Sequence, residues 1–104
     1  ATAIRIGNPA SWEKAEAARD ESGGCIEMVS DEEILAAYTL LSEKEGIFCE
    51  PASASGIAGL AKYSKEKGMG KGEIVVATLT GHGLKDPDNT IKQSRSTTTL
   101  PPDK

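Results

Sequence analysis

An α/β domain built on a parallel sheet is what this sequence predicts, and three observations lead there. Glu73 to Leu79 is an apolar, β-branched run that stops abruptly at Thr80-Gly81-His82-Gly83. That is the pattern of a strand buried on both faces whose carboxyl end opens into a loop. Shorter apolar runs recur at Cys25–Val29 and Ile47–Cys49 with helical patterns between them, so the order reads β, α, β, α, β, α, β without an internal repeat. A strand like Ile74–Leu79 wants helices on both of its faces, more cover than a sheet of a few short strands can collect within 104 residues. The sequence therefore reads as part of a larger α/β layer.

Taken in order, Ala1 to Gly7 is extended, and Asn8-Pro9 offers a helix cap and a first-turn proline for a helix to about Ser22. Its apolar face is modest: Trp12, Ala15, Ala17 and Ala18, closed by Gly23-Gly24. Cys25–Val29 is a short strand. Ser30-Asp31-Glu32-Glu33 then reads as a capping box, and the helix it opens runs to about Glu45 with Ile34, Tyr38 and Leu41 on one line. Gly46 ends it. Ile47–Cys49 is a brief extended piece leading into a helix from about Pro51 to Lys67, whose first turns are thinned by Ala52, Ser53, Ala54, Ser55, Gly56 and Gly59. Each interior glycine costs about 1 kcal/mol against alanine, so close packing should offset it. After the Gly68–Gly72 loop and the long apolar strand, Leu84 to Lys92 holds one helical turn, and residues 91–104 are expected to be a disordered tail.

Composition narrows the function. At 10.9 kDa the chain is at most one domain. Its net charge is −4, from 12 basic and 16 acidic residues without a Lys/Arg cluster, which argues against a nucleic-acid or anionic-membrane partner. No apolar segment approaches the roughly 20 residues of a membrane span. The opening Ala1-Thr2-Ala3-Ile4 lacks a secretory-signal layout and an initiator Met, so the natural amino terminus is expected elsewhere. Cys25 and Cys49 fit neither a redox nor a zinc spacing and read as reduced thiols of a cytoplasmic protein.

The end of the long strand is the first place to look for chemistry, because open α/β sheets bind ligands at the carboxyl ends of their strands. Thr80-Gly81-His82-Gly83 reads either as an anion nest or as a plain strand-exit turn. Thr80 can bond a ligand's ring nitrogen or hydroxyl, although propensity alone places a threonine there. His82 is the only histidine, so any Ser-His or Cys-His scheme must use it, yet no neighbour in sequence orients it. Glu50 sits where a helix dipole favours a carboxylate. Ser53 and Ser55 are possible ligand contacts or ordinary caps, and Arg5 a possible anion partner or a surface residue. Metal-ligand clusters, phosphate-binding P-loops and dinucleotide fingerprints are absent from the sequence.

Four motifs in order carry a resemblance. With Ala1–Pro9 (ATAIRIGNP), Asp31–Leu35 (DEEIL), Glu50–Ala54 (EPASA) and Leu79–Pro87 (LTGHGLKDP), residues 1 to 90 closely resemble the carboxyl-terminal part of the bacterial-type threonine synthases. The resemblance implies a partial three-layer parallel-sheet domain of the tryptophan-synthase beta-subunit-like fold, with pyridoxal 5'-phosphate as cofactor. It implies conversion of O-phospho-L-homoserine and water to L-threonine and phosphate. By the family's pattern Thr80 meets the pyridine nitrogen, Ala3 and Ile4 lie against the ring face, and Glu50 sits near the ring edge. His82 becomes a shaping residue. The family's Schiff-base lysine and phosphate-cradling glycine loop lie upstream of the matched part, so this chain alone is expected to be inactive. Two alternatives remain: a threonine dehydratase-like enzyme of the same fold, which matches the long motifs poorly, and a noncatalytic piece serving only binding or association. A homodimer is compatible with the resemblance, and the residues do not decide it.

Overall fold

Two helices crossing over a handful of small side chains make the core. The computed structural model describes residues 1–94 and 99–102. Helix α1 spans Trp12–Ser22, α2 Asp31–Leu40, α3 Pro51–Lys67 and α4 Pro87–Gln93, with short 3-10 turns at Thr2–Ile4 and Gly83–Lys85.

Helix α2 begins where its capping box places it. The Glu33 amide donates to Ser30 Oγ at 3.1 Å and the Ser30 amide to Glu33 Oε2 at 2.7 Å, so two otherwise orphaned donors are satisfied. After Leu40 the helix widens into a single π turn, Leu41–Glu45, and Gly46 ends it at φ 66°. Gly23 ends α1 the same way. Helix α3 starts with Pro51 in its first turn, where the missing N–H loses nothing. Ile34, Ala37, Tyr38 and Leu41 pack with Cys49, Ala54 and Ala58, and Pro51 is fully buried. Alanines on α3 let the α2 side chains approach its backbone. Burying each large α2 side chain contributes about 1.5–3 kcal/mol.

Of the four stretches expected to be extended, Ala1–Gly7 instead holds the Thr2–Ile4 3-10 turn, Ile47–Cys49 makes one bridge, and the runs Cys25–Val29 and Glu73–Leu79 have no regular structure and no pairing. Among the described residues the only β pairing is an isolated antiparallel bridge between Cys49 and His82. Ile74 is 92% exposed, Val76 88% and Met28 85%. The physical reason is geometric: a strand satisfies its backbone only against a neighbour, and residues of the two runs line one groove of about 570 Å³ beside α3 without pairing with each other. The surface area records the same fact. The chain exposes 8513 Å², against roughly 5,600 Å² for a compact monomer of this mass.

Several local expectations change. Helix α1 starts at Trp12 rather than Pro9, Ser11 occupies its cap position without a side-chain bond, and none of its residues is buried. The face of Trp12, Ala15, Ala17 and Ala18 is exposed. Gly56 has nothing within 4 Å of where its Cβ would stand, and Gly59 only just meets Val29. Their expected close packing is therefore not made among the described residues; both glycines line the groove. Helix α4 runs to Gln93, so residues 91–93 are helical where the tail was expected to begin. Ser94 and residues 99–102 carry no regular structure, and the tail expectation for 95–98 and 103–104 lies outside the described residues.

Candidate functional site

The residues between Phe48 and Ser53 meet those between Thr80 and Gly83, joined by one short bridge. The Glu50 amide donates to the Gly81 carbonyl at 3.0 Å and the Gly83 amide to the Phe48 carbonyl at 3.2 Å, flanking the Cys49–His82 pair. This is the only β contact among the described residues, and it lies at the carboxyl end of the long apolar run. It carries the amino terminus of α3 up against Thr80.

Both glycines of the turn are there for close approach. A Cβ on Gly81 would run into the Glu50 carboxylate, and one on Gly83 into the Phe48 ring. Neither has a positive φ; those belong to Gly23, Gly46, Gly68 and Gly72. The anion-nest reading fails on this point, because a nest needs alternating backbone handedness and free amides. Here the Gly81 amide is spent on Ser53 Oγ at 2.7 Å and the Gly83 amide on Phe48.

The side chains sort accordingly. Thr80 is exposed at the end of the run, with its Oγ1 3.0 Å from Ser53 Oγ. Ser53 itself is buried. Glu50 occupies the cap position of α3 without making a cap bond, and its side chain lies buried against Gly81. Cys49 is buried, and burial pushes its thiol pKa upward with the Glu50 charge adding to the effect, so it is a poor nucleophile. His82 Nδ1 accepts from the Leu84 amide at 3.2 Å, and its ring meets Phe48 edge-on at 5.3 Å. With one nitrogen committed to capping the Gly83–Lys85 turn, His82 shapes the loop.

Ala3 and Ile4 are exposed and sit on the Thr2–Ile4 turn, which is tied to Asp86 by the Thr2 amide at 3.4 Å. Asp86 is buried. Its pKa lies below the ordinary carboxylate range, chiefly because Asn89 Nδ2 donates to it at 2.9 Å and also because the Thr2 amide does. Thus Glu50 and Thr80 are brought to one place through Ser53 and Gly81, while Ala3 and Ile4 are held by a separate anchor. Arg5 is exposed at the rim of a small polar hollow beside Asp86. Ser55 bonds the Ala52 carbonyl at 2.7 Å, back into its own helix. Neither the Ser53 bridge nor the Asp86 anchor was visible in the sequence, since each joins residues far apart along the chain.

The family model described as "Pyridoxal-phosphate dependent enzyme" matches residues 1–81, more than half of this chain. The chain belongs to the pyridoxal-phosphate dependent enzymes. Among individual relatives of the same kind, a threonine synthase of Bacillus sp. is 57% identical over 95 residues, 91% of this chain and 27% of that protein. A threonine synthase of Mycobacterium tuberculosis is 52% identical over 103 residues, 99% of this chain and 29% of that protein. One of Methanocaldococcus jannaschii is 57% identical over 94 residues, 90% of this chain and 23% of that protein. The chain thus spans about a quarter of the length of the curated relatives it matches. For a pyridoxal-phosphate dependent enzyme the donor set here fits one edge of the cofactor ring. A neutral, exposed hydroxyl backed by a buried serine suits a ring nitrogen. No described helix is long and apolar enough to cross a membrane, and no metal-holding cluster occurs among the described residues.

Proposed function

We propose that this chain is the carboxyl-terminal part of a threonine synthase, which converts O-phospho-L-homoserine and water to L-threonine and phosphate. The observation that carries the reading is identity of 52–57% to threonine synthases of bacterial and archaeal origin over at least 90% of this chain. Residues 1–90 supply one part of a tryptophan-synthase beta-subunit-like α/β domain of a cytoplasmic enzyme. Cys25–Val29 and Ile74–Leu79 are strands of its parallel sheet. Supporting this, both segments are largely apolar and mostly exposed, with residues of each lining the groove beside α3.

When bound, pyridoxal phosphate supplies the electron sink for the β,γ-replacement. This chain's contribution is to hold and orient. The Thr80 hydroxyl would hold the ring nitrogen, and a neutral partner would leave that nitrogen largely unprotonated, as a carboxylate would not. Ala3 and Ile4 would lie against a ring face. Glu50, which is buried against Gly81, would stand near the ring edge. None of the lysines here occupies a motif matching the Schiff-base lysine of the family, so this chain by itself should trap no borohydride-stable adduct at a single lysine.

The test is product analysis on the full-length protein. Phosphate released from O-phospho-L-homoserine in step with L-threonine supports the reading, and deamination of threonine without that reaction would assign a dehydratase instead. Thr80→Val should weaken cofactor binding and alter the cofactor's absorption spectrum; affinity, spectrum and turnover all unchanged would remove Thr80 from the site.

A further inference from the structure

We infer that Ser53 is a positioning residue that fixes the Thr80 hydroxyl as a hydrogen-bond donor facing outward, an inference that rests on the assignment of Thr80 to the cofactor's ring nitrogen. The argument is one of counting protons and lone pairs. A serine hydroxyl has one hydrogen and two lone pairs. The Gly81 amide can only donate, and at 2.7 Å it takes one lone pair of Ser53 Oγ. What remains is one hydrogen and one lone pair, to be shared between Thr80 Oγ1 at 3.0 Å and the Gly81 carbonyl at 3.5 Å.

Two arrangements satisfy that count. If Thr80 donated to Ser53, the Ser53 proton would be left with the carbonyl at 3.5 Å, well outside the 2.5–3.0 Å range of an O–H···O bond. Ser53 is 5% exposed, which leaves little room for water at that proton. If Ser53 donates to Thr80 instead, its short contacts are all used with the correct polarity. The Thr80 proton then points away from Ser53, on a residue that is exposed and free to meet a ligand.

The second arrangement has a consequence for specificity. A ring placed before Thr80 meets a donor, so the site selects a ring atom with an unprotonated lone pair. The orientation comes from the two Gly81 groups together: the amide takes one Ser53 lone pair, and the carbonyl at 3.5 Å is too far to compete with Thr80 for the Ser53 proton. Ser53 relays that fixed direction to Thr80. A lone threonine, free to donate or accept, would tolerate either protonation state of the ring.

The decisive measurement is a ratio of affinities in the full-length apoprotein: pyridoxal 5'-phosphate against its 1-deaza analogue, in which C–H replaces the ring nitrogen. The wild-type protein should prefer pyridoxal phosphate, and Ser53→Ala should reduce that preference about two- to five-fold, below the full worth of about five-fold of one neutral hydrogen bond because Thr80 can still donate. Ser53→Cys, which keeps most of the volume with a weak donor, should lower it as well, while Ser53→Thr should retain it. Because both affinities are read on the same preparation, an inactive fraction cancels. A wild-type ratio in Ser53→Ala or Ser53→Cys, together with a lost preference in Thr80→Val, would overturn the role of Ser53 and leave Thr80 in place. Loss of the preference in Ser53→Thr would also overturn it, since the hydroxyl is kept there. A wild-type ratio in Thr80→Val would remove the Thr80 assignment, and the Ser53 inference with it.

Discussion

The α2–α3 pair and the two apolar runs at Cys25–Val29 and Glu73–Leu79 are both rich in aliphatic residues, yet they end in opposite states. Ile34 in α2 is 3% exposed, whereas Ile74 in the long run is 92% exposed. The difference lies in the backbone. A helix meets its own hydrogen-bonding needs along most of its length and has only to bury one stripe, so two of them suffice. A strand must find at least one neighbouring strand before burial becomes favourable. Hydrophobicity makes a segment want cover, and only a partner of the right backbone geometry provides it.

Substitutions can break this contrast, beginning in the core. Ile34→Ala should destabilise the helix pair by about 2–5 kcal/mol, which for so small a core should abolish cooperative urea unfolding of this chain. Gly83→Ala, whose methyl group would meet the Phe48 ring, should cost about 1–3 kcal/mol by overpacking and shift the urea midpoint downward. The Asp86 anchor should show itself in acid. Its folded pKa is depressed, so its stabilisation is present above the unfolded value of about 3.9 and fades as pH falls through the lower folded value. Asp86→Asn should therefore flatten the acid limb of a stability profile and leave its neutral-to-basic limb parallel to wild type.

The smaller effects separate the two regions most clearly. Gly56→Ala should stabilise this chain by about 1 kcal/mol, because the new methyl meets nothing and helix propensity improves. In a full-length enzyme whose groove is filled, the same change should lose that gain; thermal melts of both proteins make the comparison. Val76→Asp should alter this chain's stability by less than about 0.5 kcal/mol, as expected of an 88% exposed side chain. A large loss in the full-length protein alone would identify Val76 as a core residue of the completed sheet.

Elements whose cause is local were legible in advance. The Ser30–Glu33 capping box, the Gly23 and Gly46 helix ends and the span of α3 from Pro51 to Lys67 stand where the residues predicted. Burial was less legible. Trp12 and its alanines looked like a face, but nothing in α1 is buried, because a face becomes a core only when another element lies opposite. At the site, Thr80 and Glu50 were readable as candidates, whereas their connection through Ser53 spans 27 residues and has no mark in the local pattern.

By itself, the sequence determined the three longer helices, the glycines that end two of them, and that the long apolar run ends in a Thr-Gly-His-Gly turn, since those outcomes depend on capping, propensity and glycine placement within a few residues. Only the tertiary structure decided what Gly81 and Gly83 are for, which serine backs Thr80, and that the two apolar runs stand apart. Those outcomes depend on distances between residues remote in sequence: the space beside a backbone, the direction of an amide, and the presence or absence of a neighbouring strand.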